Sequence, residues 1–343
     1  MGNEVKIMKK KIFITGSSGF IGFHLSKSLL EKGISVHGFD SMNNYYDVKL
    51  KKSRLEILKK FKKFTFTKNN LENMKILKKS ILKFKPNYII HLGAQAGVRY
   101  SIDAPRKYIS SNIIGTFNII ELAHKLKIKH LLIASSSSVY GSNISKKFNE
   151  NDKADNQLSV YAATKKSTES LAHSYSSLWN LPITMLRFFT VYGPWGRPDM
   201  AYYKFTKSII ENKKIDIYNK GKMYRDFTYI DDVIKSIELL INKVPNYKKY
   251  FSDSLSDVAP FRIINIGNQK KIYLKDFIKE LEKQLYKKAR KNFISMQKGD
   301  VKETLSDSNL LYQITNYKPK INYKLGISKF LDWYKTYMFN KSI

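Results

Sequence analysis

The sequence of 343 residues has no cysteine, which excludes disulfide bonds, thiolate metal ligands and cysteine nucleophiles. Its six histidines show no close metal-ligand spacing such as H-x-x-x-H, so we expect no metal site. No apolar run reaches the roughly 18 residues of a transmembrane helix, and the N-terminal residues contain no apolar signal core. We therefore expect no membrane partner and a cytoplasmic protein, whose 43% hydrophobic residues can form a sizeable core.

Acidic residues are also scarce, with 28 Asp and Glu against 62 Lys and Arg, which gives a formal net charge of +34. Most of the basic residues are lysines scattered along the chain, so we expect a solvated surface and no specific nucleic-acid partner. A patch that binds polyanions is the alternative. Only eight residues are arginines. Where lysine is this common, a retained arginine indicates planar, bidentate geometry that lysine cannot supply.

Short apolar runs alternate with amphipathic helical patterns as far as residue 188. Strands are predicted at residues 11–15, 35–39, 64–67, 88–92, 130–135 and 183–188, and helices from residue 20 to 33 and over 48–60, 72–83, 105–127 and 161–179. This alternation is typical of an α/β fold with a doubly wound, parallel Rossmann sheet.

The regular alternation ends where two glycines and two prolines fall within six residues, 193–198. Beyond this point the pattern predicts helices near 201–211, 232–242 and 274–285, and strands near 215–218 and 262–266. We therefore predict two domains. The first is a nucleotide-binding Rossmann domain over 1–188, completed by parts of 226–266. The second is a smaller, mixed α/β substrate domain over 189–343.

A glycine-rich segment follows the first predicted strand and opens the first helix. It contains Gly16, Gly19, Phe20, Ile21 and Gly22. Glycines allow a tight turn and a close backbone approach to a pyrophosphate at the helix N-terminus. The next strand ends at Asp40, where a carboxylate can accept from both ribose hydroxyls and would repel a 2′-phosphate. No arginine follows it, so the pattern favours NAD over NADP; a loop with an exposed aspartate is the alternative.

Tyr161 and Lys165 are four residues apart, so they lie on one face of a predicted helix. A tyrosine with a pKa of about 10 is a poor base at neutral pH. We expect the nearby ammonium, together with a positively charged nicotinamide, to lower the pKa of Tyr161. The spacing alone is common in this sequence. It gains meaning from the hydroxyl-rich strand end at 134–138, which can hold the same substrate oxygen.

The glycine motif, Ser136, Tyr161 and Lys165 resemble the extended short-chain dehydrogenase/reductase superfamily of nucleotide-sugar enzymes. Longer segments resemble the UDP-glucuronate 4-epimerases: 38–55, 91–102, 135–141, 161–176, 186–200, 225–232 and 296–301. The resemblance covers nearly the whole chain, and the segments 161–176 and 186–200 are specific to that subgroup.

The resemblance implies roles for residues on the substrate side. Ser136 assists Tyr161, and Ser137 and Ser138 stand where dehydratases carry an Asp-Glu pair, so dehydration lacks its acid and base. Small hydroxyls there can hold a sugar carboxylate. Thr190 corresponds to a position beside the sugar. Further along the chain the implied contacts are Arg197 at the anionic end of the substrate (a loop-stabilising salt bridge is the alternative), Arg225 at the diphosphate, Asp300 at the uridine ribose, and Arg99 either in the site or on the surface.

The resemblance also implies contacts with the cofactor. Asn70 and Leu71 correspond to adenine contacts, although the family usually has Asp-Leu there. Ala94 and Gln95 correspond to residues at the pyrophosphate. Asn112 corresponds to a helix residue that supports the catalytic tyrosine and lysine through water. Helices 105–127 and 161–179 resemble the pair that forms a homodimer interface.

The activity implied is NAD-dependent epimerisation of UDP-glucuronate at C4 to UDP-galacturonate through a transient 4-keto sugar, for surface polysaccharide synthesis. A UDP-glucuronate decarboxylase shares the first step and is the nearest alternative. A UDP-glucose or UDP-N-acetylglucosamine 4-epimerase is another. A binding protein that has lost catalysis is disfavoured, because Ser136, Tyr161 and Lys165 are all present.

Overall fold

A parallel sheet of seven strands forms the centre of the molecule. The computed structural model describes residues 10–143, 147–246 and 248–342, the last three as backbone only. The strands of this sheet are β1 (Lys11–Thr15), β2 (Ser35–Asp40), β3 (Phe64–Lys68), β4 (Tyr88–His91), β5 (His130–Ser136), β6 (Ile183–Phe188) and β10 (Phe261–Ile266). Their order is β10-β6-β5-β4-β1-β2-β3, and every adjacent pair is parallel. The predicted doubly wound Rossmann sheet is confirmed.

Helices cover both faces of this sheet. In chain order the helices are α1 (Phe20–Glu31), α2 (Val48–Lys59), α3 (Met74–Phe84), α4 (Tyr100–Asp103), α5 (Pro105–Tyr108), α6 (Gly115–Lys125), α7 (Val160–Trp179), α8 (Ala201–Ile210), α9 (Ile230–Ile241), α10 (Leu274–Leu285), α11 (Asn309–Thr315) and α12 (Tyr323–Ser342). Along β1, Ile12 and Ile14 join one hydrophobic cluster and Phe13 the other. This alternation shows that both faces are buried, as in other parallel sheets.

The helix predicted over 105–127 is confirmed as a helical stretch from Pro105 to Lys125, but it is not a regular α-helix throughout. After α5 the chain forms a π-helical segment, Ile109–Ile114, and only then α6. A π-helical turn inserts an extra residue and re-aims the side chains on it. Here it turns Asn112 inwards, where the side chain is completely buried.

Two small sheets lie beyond β6. One has the order β11-β9-β7, from β7 (Thr190–Tyr192), β9 (Tyr224–Tyr229) and β11 (Lys271–Tyr273), and the other pairs β8 (Lys214–Ile217) with β12 (Arg290–Phe293). Both parallel and antiparallel pairs occur, which confirms a mixed C-terminal region. Because β10 returns to the central sheet, the chain crosses between the two parts more than once. The division at residue 188 stays a prediction.

Two expectations from the sequence concern membrane-spanning helices and metal sites, and the described residues can be searched for both. None of the helices there combines the length and the apolar composition that a membrane span requires. Nor do the described ranges contain three or more histidine or acidic side chains grouped so that they could hold a metal ion.

Candidate active site

A deep cleft opens at the carboxyl ends of β1, β4, β5 and β6, which is where open α/β sheets bind their ligands. Its volume is about 1540 Å³, larger than the roughly 300–1,000 Å³ of a pocket for one small molecule. The glycine turn lines one side, and residues from β7 and α8 line the other. The cleft therefore has room for a dinucleotide and a second ligand.

The glycine turn has the close packing that a dinucleotide requires. Gly16 has a φ of +69°, and its N–H donates to the Phe39 carbonyl oxygen at 2.7 Å. A Cβ atom at Gly22 would lie 2.1 Å from the Gly16 carbonyl oxygen. No side chain caps α1 at Gly19, and its first turn has no acidic residue. The first N–H groups of the helix are therefore available to a pyrophosphate, so this cradle fits the predicted cofactor.

Asp40 is fixed at the end of β2 by two backbone donors. Its Oδ1 accepts from the N–H of Met42 at 2.8 Å, and its Oδ2 accepts from the N–H of Ser18 at 3.0 Å. Lys51, which the sequence did not single out, lies close by. Burial lowers the pKa of Lys51 to about 8, against the opposing effect of Asp40. The carboxylate that we assign to the ribose is thus held in place by the glycine turn itself.

The residues predicted to contact the rest of the cofactor divide into two groups. Asn70, Leu71, Ala94 and Gln95 line the cleft. Asn112 lies behind it: its Oδ1 accepts from the N–H of Gln95 at 2.8 Å, and its Nδ2 donates to the carbonyl oxygen of Gln95 and the hydroxyl of Thr164. Asn112 therefore joins the segment after β4 to the helix that carries Tyr161, without reaching the cleft.

Tyr161 and Lys165 lie at the start of α7, where the hydroxyl of Ser159 caps the helix by accepting from the N–H of Ala162. Both line the cleft together with Ser136, the last residue of β5. The Lys165 ammonium donates to the Ala134 carbonyl oxygen at 2.8 Å. The three predicted catalytic residues are therefore brought together by the end of one strand and the first turns of one helix.

The side chains around Tyr161 do not by themselves lower its pKa, and the lowering expected with a nicotinamide beside it stays a prediction. Burial raises the pKa of Tyr161, while a hydrogen bond with Ser136 and the charge of Arg197 lower it less. Burial also lowers the pKa of Lys165 to about 8, although Glu169 raises it. The reason is desolvation, which disfavours both charged forms. Forming the phenolate thus requires a further positive charge beside it.

Small hydroxyl groups line the cleft next to the catalytic group. They belong to Ser137, Ser138 and Thr190. The Oγ of Ser136 accepts from the N–H of Ser138 at 3.2 Å and donates to its hydroxyl at the same distance. Ser137, Ser138 and Thr190, which we call the hydroxyl row, therefore offer hydrogen-bond donors next to Tyr161, and none of them is a carboxylate.

The Arg197 guanidinium is already paired. It donates from Nε and Nη2 to the two oxygens of Asp199, at 3.0 and 2.5 Å. The hydroxyl of Tyr45 also donates to Asp199, at 3.1 Å. In this structure Arg197 thus makes the salt bridge that was the alternative, although it lines the cleft. No sequence motif singled out Asp199.

A second arginine cluster forms around Asp300. Arg225 donates to Asp300 at 2.8 Å, and Arg99 approaches the other oxygen of Asp300 at 3.8 Å. The Arg99 guanidinium lies 4.1 Å from the centre of the Tyr218 ring. Arg99, Tyr218 and Asp300 line the cleft, whereas Arg225 lies behind Asp300. Arg99 therefore lines the cleft while its side chain stays about half exposed, so both the site role and the surface role remain open.

Sequence reasoning missed a buried ion pair behind the catalytic strand. Arg187 forms a two-pronged bond with Glu169, at 2.9 and 2.8 Å, and the hydroxyl of Ser135 donates to the same carboxylate. Glu169 lies one turn beyond Lys165 on α7, so the pair fixes that helix against β5 and β6. The scarcity of arginine was the signal that could have identified Arg187.

The fold and the residues of this cleft together define a class of proteins. A doubly wound sheet with a glycine turn after β1, a carboxylate after β2 and a Tyr-x-x-x-Lys helix beside β5 is the arrangement of short-chain dehydrogenases and reductases. The chain belongs to the NAD dependent epimerase/dehydratase family, whose model matches residues 12–267.

Comparison with individual proteins narrows the family. The chain is 50% identical to Protein CapI of Staphylococcus aureus, over 95% of this chain and 99% of that protein. It is 45% identical to a probable UDP-glucuronate 4-epimerase of Rhizobium meliloti, over 94% and 96% of the two chains. Its fold matches the UDP-glucuronic acid 4-epimerase of Bacillus cereus, solved with UDP-glucuronic acid and NAD, with a TM-score of 0.86 and 32% identity over 95% and 99%. The resemblance predicted from the motifs is confirmed.

Proposed function

We propose that this protein is an NAD-dependent epimerase that interconverts UDP-glucuronate and UDP-galacturonate at C4. The observation that carries the proposal is the placement of Ser136, Tyr161 and Lys165 in a cleft that also contains the glycine turn and Asp40. The relatives named as UDP-glucuronate 4-epimerases support the choice of substrate. A cytoplasmic location and a role in surface polysaccharide synthesis stay predictions.

In this proposal Tyr161 is the residue that transfers the proton. The phenolate takes the proton of the C4 hydroxyl, Ser136 hydrogen-bonds the same oxygen, and the buried ammonium of Lys165 supplies positive charge nearby. NAD held by the glycine turn and Asp40 would supply the oxidising power at C4, and since the hydride would return to the same carbon, no external oxidant would be consumed. The positive charge of a nicotinamide beside Tyr161 would also favour the phenolate.

Inversion requires the 4-keto sugar to turn while its nucleotide stays fixed. We assign the fixed end to the cluster of Arg225, Asp300 and Arg99. Arginine forks suit a diphosphate because they form paired, charge-assisted bonds. Arg225 already donates to Asp300 and to two carbonyl oxygens. It can therefore orient Asp300 for a ribose as well as act on phosphate.

The carboxylate of the substrate separates epimerisation from decarboxylation. Oxidation at C4 makes a β-keto acid, which loses CO₂ when the bond to the carboxylate aligns with the carbonyl π system. An epimerase must hold the carboxylate out of that alignment. Ser137, Ser138 and Thr190 offer the donors for this task.

A UDP-glucuronate decarboxylase is the second candidate, and one observation favours it. The fork of Arg197 is occupied by Asp199, so the strongest donor near the hydroxyl row is not free. Incubation of the purified protein with UDP-glucuronate, followed by mass spectrometry of the nucleotide sugars, decides between the two. We expect UDP-galacturonate with little UDP-pentose. Predominant UDP-pentose would identify a decarboxylase.

We further propose a homodimer. Exposed apolar side chains occur on the π-helical segment, α6 and α7: Ile109, Ile114, Phe117, Leu178 and Trp179. Isolated exposed residues are normal, but adjacent elements with several of them are typical of an interface. Light scattering coupled to gel filtration should give twice the 40.0 kDa of one chain. A mass of one chain at micromolar concentration would contradict the dimer.

A further inference from the structure

A buried arginine outside the predicted site connects the two sides of the cleft. Arg54, on α2, has no exposed surface. Its Nη1 donates to the Ser18 carbonyl oxygen in the glycine turn at 2.9 Å and to the Tyr46 hydroxyl at 2.8 Å. Its Nη2 donates to the carbonyl oxygens of Trp195 and Gly196 at 2.5 and 3.3 Å. One guanidinium thus joins the glycine turn to a segment about 140 residues beyond Arg54 in sequence.

On the cofactor side, Arg54 contributes a hydrogen bond that helps to hold the glycine turn in place. The N–H of Ser18 donates to Asp40, and its carbonyl oxygen accepts from Arg54. Ser18 is therefore held through both of its backbone polar groups. Because Asp40 is the residue that we assign to the ribose, a shift of Ser18 would displace that carboxylate as well.

On the substrate side, Arg54 holds residues 193–200, which we call the substrate loop. Trp195 has a φ of +58°, in the left-handed region that non-glycine residues rarely adopt. Its ring contacts Phe23, and the preceding carbonyl oxygen of Pro194 lies 2.9 Å from Nε2 of His24. Arg197 and Asp199 follow within four residues. The bonds from Arg54 help to keep this strained backbone in place.

The chemistry of Arg54 indicates that its geometry matters. Its four partners are three carbonyl oxygens and a phenol, and none of them carries a negative charge. A buried cation without a paired anion is costly, so packing alone does not account for it. A lysine at this position could bond one segment but could not span both, because it lacks the planar fork.

We propose that Arg54 is a positioning residue that couples the glycine turn to the substrate loop. Through this link, the loaded cofactor site holds the substrate loop in the geometry that binds the UDP-sugar. The kinetic consequence rests on the proposed function, whereas the coupling of the two segments does not.

The test compares the purified, cofactor-loaded wild type with Arg54→Lys, and with Arg290→Lys as a control at an exposed arginine on β12. Hydrogen–deuterium exchange is followed over residues 16–22 and 193–200. In Arg54→Lys we expect exchange to accelerate by about tenfold or more in both segments, with the remaining peptides near the wild-type rate. We expect KM for UDP-glucuronate to rise by about tenfold, as for the loss of one good hydrogen bond, with kcat changed far less.

Acceleration in only one segment, acceleration spread evenly over the chain, or unchanged KM would overturn the proposal. If the wild type does not convert UDP-glucuronate, the proposed function fails, but the exchange result still decides the role of Arg54. If Arg54→Lys does not fold, Tyr46→Phe removes the hydroxyl bonded to Nη1. It should give a smaller acceleration in both segments, and no acceleration in either would overturn the proposal.

Discussion

At the scale of single residues, desolvation governs the chemistry of the cleft. Burial lowers the pKa of Lys165 to about 8 and raises the pKa of Tyr161. Each shift favours the neutral form, but a pKa of about 8 leaves Lys165 mostly protonated near pH 7, whereas Tyr161 is a neutral phenol there. Positive charge from a nicotinamide beside the phenol would favour the phenolate, so we propose that Tyr161 acts as a base with NAD held in the cleft.

Replacing the proton acceptor gives the first prediction. Tyr161→Phe should lower kcat by about a hundredfold to ten-thousandfold while UDP binding is kept, because only the base is removed. Ser136→Ala should lose less, since a hydrogen bond and not the base is lost. Tyr175→Phe, farther along α7, is the matched control and should turn over normally. Wild-type turnover by Tyr161→Phe would show that the assigned mechanism is wrong.

The hydroxyl row gives a second prediction at this scale. A hydrogen bond to a charged group is worth roughly 1.5–3 kcal/mol, so loss of one can change the ratio of CO₂ loss to epimerisation by about tenfold or more. We expect Thr190→Val and Arg197→Ala to raise the UDP-pentose fraction, measured by mass spectrometry. Asp199→Asn, which frees the Arg197 fork, should lower it. An unchanged fraction in all three variants would place the carboxylate elsewhere.

At the scale of elements, the sequence predicted regular repeats well and local exceptions poorly. Strands β1 and β6 and helix α10 have the predicted bounds, because buried apolar runs between turn residues determine them. The three-residue strands β7 and β11 were missed, since three residues carry no periodicity. The π-helical turn at Asn112 was missed because it depends on a bond to Gln95, a partner distant in sequence. The salt bridge of Arg197 was left open because the pairing with Asp199, two residues away, depends on the conformation of an irregular loop.

The contact between the segment before α7 and β10 gives a third prediction. Burial raises the pKa of Glu150 to about 7 from 4.5, although one oxygen accepts from the N–H of Asn265 at 2.8 Å. The folded state therefore binds a proton more tightly than the unfolded state, and stability falls as the pH rises from about 4.5 through about 7. Glu150→Gln removes this cost. Its melting temperature should exceed that of the wild type by a few degrees at about pH 8 and by less at about pH 5.

The matched control for this experiment is Glu56→Gln, at an exposed carboxylate on α2. It should leave the melting temperature within about a degree at both pH values, as is usual for surface substitutions. A stabilisation by Glu150→Gln that does not depend on pH would contradict the assigned ionisation.

At the scale of the whole molecule, the net charge of +34 is not what determines the chemistry of the cleft. The lysines are spread over the chain, whereas the arginines that the structure buries, Arg54, Arg187 and Arg262, make directed bonds inside it. Charge alone attracts polyanions by releasing counterions, without reading a sequence. It therefore indicates solubility and loose association and does not identify the function.

The fourth prediction follows from this separation. Binding to double-stranded DNA should be detectable by fluorescence anisotropy at low salt, independent of sequence, and lost by about 0.15 M salt. Tight binding at that salt with a preference for one sequence would support the polyanion alternative.

In the proposed mechanism a hydride leaves C4 and returns to it within one active site. The most direct test incubates the purified protein, with no NAD added, with UDP-glucuronate that carries deuterium at C4, and follows the product by NMR and mass spectrometry. We predict that the product is UDP-galacturonate with the deuterium retained at C4. Loss of the deuterium to solvent, a requirement for stoichiometric oxidant, or UDP-pentose as the main product would contradict it.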